Sequence, residues 1–244
     1  MNLDPKTFYN ERMPNKLGKD YEHARWHSNA FQEAQYRMMI DVMRRLAVSV
    51  VKDAKTVLEI GPGAATWTKF LLEANMQAHY TLVDISAEML SRAKAAIPSS
   101  ARVSFVEADL LTYEPGTRFD VIFSSRAVEY VSNKNSIAAK LTSLLAPDGT
   151  LVIITKMPKK FFNTLAGRRL SELHAGQVSP GMFTTLLKKS GLTISMVRMA
   201  TATVPVFKSP LLNQVAFQLF SRLPLIWPLS VFAESYIVIA KNPL

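Results

Sequence analysis

One short stretch constrains this chain more than any other: Thr56-Val57-Leu58-Glu59-Ile60-Gly61-Pro62-Gly63-Ala64-Ala65-Thr66. Val57, Leu58 and Ile60 read as a buried strand, and Gly61-Pro62-Gly63 forces a sharp turn. The run from Thr66 to Ala74 is apolar at helical spacing. A strand, a glycine turn and a helix make the first half of a nucleotide-binding βαβ unit. Glycine is needed because the backbone must turn tightly and approach a ligand closely. The G-x-G-x-x-G dinucleotide pattern fails, since Thr66 stands at its third glycine, and no G-x-x-x-x-G-K-[ST] is present. An acid, Glu59, lies two residues before the first glycine and gives E-x-G-x-G-x-A.

The next hundred residues alternate strand and helix, as a parallel doubly wound sheet requires. His79 to Asp84 is a strand ending in an acid 21 residues after Gly63. At that place a carboxylate offers two acceptors to the two hydroxyls of a ribose. Ser86 then caps a helix from Ala87 to Ile97. Val103 to Glu107 is a third strand, followed by Ala108-Asp109-Leu110. Phe119 to Ser124 is a fourth strand, running into Ser125-Arg126-Ala127-Val128-Glu129-Tyr130. A helix from Asn135 to Leu145 and the turn Ala146-Pro147-Asp148-Gly149 lead to a fifth strand, Leu151 to Thr155. Ser179-Pro180-Gly181 opens a helix that Gly191 ends. Thr193 to Met199 and Tyr236 to Lys241 are the last two strands.

E-x-G-x-G-x-A, the acid of the second strand, the Ala108-Asp109 step, the Phe119-Asp120-Val121-Ile122 strand and Leu145-x-Pro147-Asp148-Gly149-x-Leu151 come in order. Together they resemble the class I S-adenosylmethionine (SAM)-dependent methyltransferases of the small-molecule type, over about residues 45–200 and the last strand. The resemblance implies a Rossmann-like α/β fold: a doubly wound, mostly parallel seven-stranded sheet with helices on both faces and the last strand antiparallel. It implies a cofactor site made by Glu59, Gly61, Pro62, Gly63, Asp84, Ile85, Asp109, Leu110 and Ser125. There Asp109 would accept from the adenine amino group, with Leu110 and Ile85 on the two ring faces. Tyr21, Arg25 and Trp26 resemble an N-terminal lid over SAM. Many relatives read Leu-Glu-His where this chain has Val128-Glu129-Tyr130, and Arg126 is an addition. Glu129, Tyr130 and His174 are the base candidates, and Arg126 to Tyr130 is placed between cofactor and acceptor.

Composition sets limits. With 244 residues and 48% hydrophobic content one sizeable core is expected. Zero Cys excludes disulfides, thiolate metal sites and cysteine-dependent methylation of pyrimidine carbon. His23 and His27 stand i,i+4 but have no third ligand, so they read as a polar helix face and no metal is expected. The chain's net charge is +10, and residues 151–244 hold 11 basic against 2 acidic groups. That asymmetry points to an anionic partner. Residues 1–20 read as loosely structured, with no secretory apolar stretch. Tyr21 to Leu46 reads as one helix. Residues 1–50 are therefore assigned to a helical lid and 51–244 to the methyltransferase domain, with acceptor-side insertions at 156–179 and 204–232.

The expectation is SAM-dependent transfer of a methyl group to an oxygen or nitrogen of a small-molecule or lipid-linked acceptor, anionic in character, leaving S-adenosylhomocysteine (SAH). The apolar, proline-interrupted 204–232 stretch is too broken to span a bilayer. It suits the domain's own core, a homodimer contact or the surface of an anionic membrane, so the expected location is the cytoplasm, with peripheral contact at the inner membrane. The alternatives are an RNA methyltransferase, a non-catalytic SAM-binding partner and a NAD enzyme. The missing [ND]-P-P-[YF] motif and the lack of an RNA-binding module count against the first. Intact acids count against the second, and Thr66 against the third.

Overall fold

The computed structural model describes residues 4–13, 21–158, 176–204 and 209–243. Seven strands form one sheet: β1 (Thr56–Ile60), β2 (His79–Asp84), β3 (Val103–Glu107), β4 (Phe119–Ser125), β5 (Leu145–Lys156), β6 (Thr193–Ala202) and β7 (Ala233–Lys241). Their order is β3-β2-β1-β4-β5-β7-β6. β7 is antiparallel to β5 and β6, and the remaining pairings are parallel. The chain winds outward from β1 first to one edge and then to the other. The switch of direction therefore lies between β1 and β4, where open sheets bind ligands beyond the strands' carboxyl ends.

The strands alternate between two apolar layers. Val57, Val121, Phe123, Val152, Ile154, Ile237 and Ile239 face one side. They pack against α3 (Ala30–Val42, continuing to Val51), α4 (Thr68–Ala74) and α8 (Pro210–Phe220). Leu58, Ile60, Ile122, Leu151, Ile153, Tyr236 and Val238 face the other. They pack against α6 (Lys134–Leu144) and α7 (Pro180–Lys189). Each large side chain buried this completely contributes about 1.5–3 kcal/mol. α5 (Ala87–Ala96) covers the β2–β3 end.

Helix starts follow their caps. Asn29, Ser86, Asn133, Ser179 and Ser209 each accept a backbone N–H from the first turn. Pro180 and Pro210 occupy first-turn positions.

Two expectations change at the N-terminus. Tyr21 to Leu46 is not one helix: α2 (Tyr21–Trp26) ends, residues 27–29 bend, and α3 begins. Asn29 is extended (φ −164°, ψ 164°) and its side chain accepts from Gln32 N, so the second start is a cap that the periodicity concealed. Residues 4–13 are not loose. Asp4 caps a short helix, α1 (Pro5–Thr7), which continues as a wider turn through Arg12.

Candidate active site

The glycine loop is shaped by sterics. Gly61 adopts φ +66°, and a Cβ there would sit 2.4 Å from the Ala127 Cβ. Side chain and backbone thus both require glycine, because the β4–α6 connection presses on the loop. Gly63 is also left-handed (φ +58°), but around its missing Cβ only Arg25 Nη1 comes near, at 3.9 Å. The first glycine permits packing and the second keeps a wall open.

The loop floors a cavity of about 330 Å³ at the carboxyl ends of β1, β2 and β4. Gly61, Pro62, Gly63, Asp84, Ile85, Asp109, Leu110, Ser125, Tyr21 and Arg25, all expected at a cofactor site, line it together. Asp84 Oδ1 accepts from Ser86 N at 3.0 Å, and Oδ2 lies 3.4 Å from Gly63 N. Burial pushes its carboxyl up to about 6, against the pull of those amides. Asp109 is exposed and accepts from Leu111 N at 2.8 Å. Ser125 is buried, and its Oγ has no hydrogen-bond partner among the described residues. Such an atom on a cavity wall fits a polar ligand group.

Other expected residues are elsewhere. Glu59 alternates with Leu58 and Ile60 along β1, so its side chain points to the α4 side of the sheet. It is 1% exposed and does not line the cavity, and one carboxyl oxygen has no partner among the described residues. Burial raises its pKa to about 8, with the Thr68 hydroxyl opposing and Asp84 adding to the rise. Trp26 turns into the core against Trp67 and Tyr36, with ring centroids 5.4 Å away in each case. Tyr21 and Arg25 share one side of α2 at i,i+4, whereas Trp26 lies a further 100° around the helix. His23 and His27 pack ring against ring, and no group of three metal-ligating side chains occurs among the described residues. His174 and the basic Lys159, Lys160, Arg168 and Arg169 lie outside the described residues.

The β4 exit carries the second half of the site. Arg126 and Tyr130 line the cavity, but Glu129 does not. Glu129 is fully buried and accepts from Arg126 Nε (2.9 Å), Thr155 Oγ1 (2.9 Å) and Lys156 N (3.3 Å). Burial acts to raise its pKa, yet Arg126, Lys156 and the Thr155 hydroxyl together outweigh it and keep the carboxyl below the usual range. Glu129 is thus an occupied, ionised anchor, not an available base. Arg126 is left-handed (φ +65°), an unusual state for a non-glycine residue, and Arg126 N donates to Ile154 O at 2.8 Å. Lys134 donates to the carbonyls of Val128 (2.6 Å) and Val131, clamping the turn.

Tyr9 belongs to this cavity although no sequence motif marks it. Its hydroxyl lies 2.6 Å from that of Tyr130, and both rings line the cavity. Burial raises both phenol pKa values, so both keep their protons at neutral pH. The N-terminal turn is strapped down: Asn10 Oδ1 accepts from Ser86 Oγ at 2.6 Å, and Lys6 pairs with Glu107 at 2.8 Å. The visible signal is Asp4-Pro5, a cap residue before a first-turn proline.

A glycine cradle and an acid-tipped second strand at the switch point of a doubly wound sheet define a nucleotide-binding α/β protein of the Rossmann-like kind. Residues 58–151 match the family described as "Methyltransferase domain". The chain is 31% identical over 131 residues to a trans-aconitate 2-methyltransferase of Azoarcus sp. (strain BH72), covering 54% of this chain and 49% of that one. It is 29% identical over 99 residues to malonyl-[acyl-carrier protein] O-methyltransferase 2 of Ilyobacter polytropus, covering 41% and 38%. The matched parts thus span about half or less of these relatives' length. Among solved structures, the N-methyltransferase NodS of Bradyrhizobium japonicum WM9 with SAH has a TM-score of 0.64 at 16% identity, covering 97% of this chain and 99% of that one. The magnesium protoporphyrin IX methyltransferase of Synechocystis PCC 6803 with SAH has a TM-score of 0.63 at 15% identity, covering 97% of each. At such identities the likeness establishes the fold. Residues 58–151 thus resemble a methyltransferase domain, set in a Rossmann-like fold that the two SAH-bound structures share.

Proposed function

We propose that the protein transfers a methyl group from SAM to an oxygen or nitrogen of a small, anionic acceptor. The observation that carries this reading is one cavity joining Gly61, Gly63, Asp84 and the unpartnered Ser125 hydroxyl to the Arg126–Tyr130 turn. SAM supplies an electrophilic methyl on a sulfonium and departs as SAH. The chain's part is to align the acceptor and exclude water. Asp84 holds the ribose hydroxyls, Asp109 the adenine edge, and Leu110 and Ile85 the adenine faces. Arg25, beside the open side of Gly63, holds the methionine carboxylate. Tyr9 and Tyr21 close the N-terminal lid over the site. Residues 4–13 and 21–26 thus act as cover, whereas α3, assigned to the lid from the sequence, packs on the sheet as part of the domain core. Removing the Asp84 carboxylate deletes two charge-assisted hydrogen bonds of about 1.5–3 kcal/mol each. Asp84→Ala should therefore bind SAH at least about 100-fold more weakly by titration calorimetry. Unchanged affinity would reject the assignment.

A second reading concerns where the acceptor is met. α8 buries Asn213, Ala216 and Phe217, yet its outer side is also apolar. Leu211, Leu219, Leu223, Ile226 and Trp227 are exposed around Arg222, and Trp227 is 81% exposed. An apolar patch with an exposed tryptophan and a basic residue suits docking at an anionic bilayer, where a lipid-linked acceptor resides. No helix among the described residues is long and apolar enough to cross a membrane. Anionic liposomes should sediment the wild type but not a Leu219→Glu, Trp227→Glu variant. If wild type stays in solution with anionic and neutral vesicles alike, the docking is rejected, and sedimentation velocity then tests the patch as a homodimer contact.

A further inference from the structure

Thr66 stands where a dinucleotide loop has its third glycine, a place kept bare so that helix and strand pack closely. Here it carries a hydroxyl with a definite partner: Thr66 Oγ1 donates to Glu22 Oε2 of α2, 44 positions back in the chain. The next residue holds the same helix. The Trp67 ring stands edge-on to Trp26, with centroids 5.4 Å apart and an interplanar angle of 71°. Both contacts come from the turn that follows left-handed Ala65 (φ 62°). Glu22 and Trp26 form one i,i+4 row on α2, the row that meets Thr66 and Trp67. Tyr21 and Arg25 form the adjacent row, and both line the cavity. Arg25 Nη1 donates to the Tyr21 hydroxyl at 3.0 Å and lies 3.9 Å from the place of a Gly63 Cβ. Burial works against the Arg25 charge; Tyr21, Tyr9 and Glu22 support it, and Glu22 is the carboxylate among them.

Resting on the methyltransferase reading above, we infer that Thr66 and Glu22 form a latch that positions Arg25 and so sets the site's preference for a nucleoside carrying a methionine carboxylate. A helix of six residues does not hold its own orientation in water. Tertiary contacts must therefore fix α2, and with it the guanidinium that α2 carries. A group aimed at a ligand is only as precise as the side chains that support it. Glu22 does not line the cavity, so it acts through Arg25. Thr66 borders the cavity, but its hydroxyl proton is given to Glu22. The adenosine half of the ligand is met by other elements, Asp84 on β2 and Asp109 after β3. Loss of the latch thus weakens the grip on the methionine end and spares the grip on adenosine.

Titration calorimetry with SAH and with 5′-methylthioadenosine tests the latch. The two share adenosine and a thioether and differ in the amino-acid end. Wild type should bind SAH at least about tenfold more tightly than 5′-methylthioadenosine. Thr66→Val keeps the shape and removes the donor. It should lose about tenfold in SAH affinity and less than about threefold in 5′-methylthioadenosine affinity. Thr66→Ser should bring SAH affinity back to within about threefold of wild type. Glu22→Ala removes the partner from the α2 side, leaves the buried turn unaltered, and should repeat the Thr66→Val pattern; it serves equally if Thr66→Val does not fold. In an Arg25→Met background, Thr66→Val and Glu22→Ala should each change SAH affinity less than about threefold, because the latch acts through that residue. Equal losses for both nucleosides in folded variants, no loss for either, or a full loss that persists in the Arg25→Met background would each overturn the latch. Wild type that binds neither nucleoside would reject the methyltransferase reading itself, and the latch with it.

Discussion

Glu59 gives the sharpest stability test. The residue is 1% exposed, one carboxyl oxygen lacks a partner among the described residues, and burial raises its pKa from 4.5 to about 8. A raised acid pKa means that the folded protein binds this proton more tightly than the unfolded chain. The contribution is fully favourable below about pH 4.5 and is lost as pH rises through the folded value. Each pKa unit corresponds to about 1.4 kcal/mol. Between about pH 5 and pH 8 the wild type should thus lose about that much stability per pH unit through Glu59, reaching about 3 kcal/mol at pH 7. Glu59→Gln keeps the shape and removes the ionisation. It should be more stable than wild type at pH 7 and above, by a melting shift of about 6–12 °C for a chain of this size. The gap should close near pH 5. Urea unfolding of both proteins from pH 5 to 9, without cofactor, measures it. Parallel pH slopes would refute the reasoning and show that Glu59 is solvated or paired when folded.

Gly61→Ala should fold poorly and lose SAH binding, because the new methyl meets Ala127 at 2.4 Å in a left-handed backbone; circular dichroism and calorimetry check both effects. SAH affinity should rise with pH through about 6, where Asp84 ionises, and be about tenfold weaker at pH 5 than at pH 7. Asp84→Asn should flatten that profile. Lys134→Met frees the carbonyls of Val128 and Val131 and should destabilise the protein by about 1–3 kcal/mol in urea melts, with acceptor binding hit harder than SAH binding.

What could be read from the sequence tracks how locally each feature is encoded. The strands and their alternation with helices were legible because the sheet core is buried on both faces and its helices are capped. Ser86, Ser179 and Gly191 mark their boundaries with their own chemistry. Asp84 was legible for the same reason: a strand's end and its acid are adjacent in the chain. Glu59 shows the limit. Its motif position is evident, but period-two alternation carries its side chain to the face opposite Leu58 and Ile60, away from the ligand cavity. Trp26 was misread in the same way, by one residue of helical rotation. Tyr9 meets Tyr130 across 121 positions, and nothing near either residue foretells that contact. Glu129 is the most instructive. A carboxylate after the fourth strand reads as a base until its partners are known, and those come from β5 as well as its own turn. Motifs thus locate the wall of the cavity made by the glycine loop and Asp84, which is local. The opposite wall of the cavity is assembled from the turn after α1, the β4 exit and β5, so its chemistry follows from tertiary packing: Glu129 becomes the counter-ion that holds Arg126 in place.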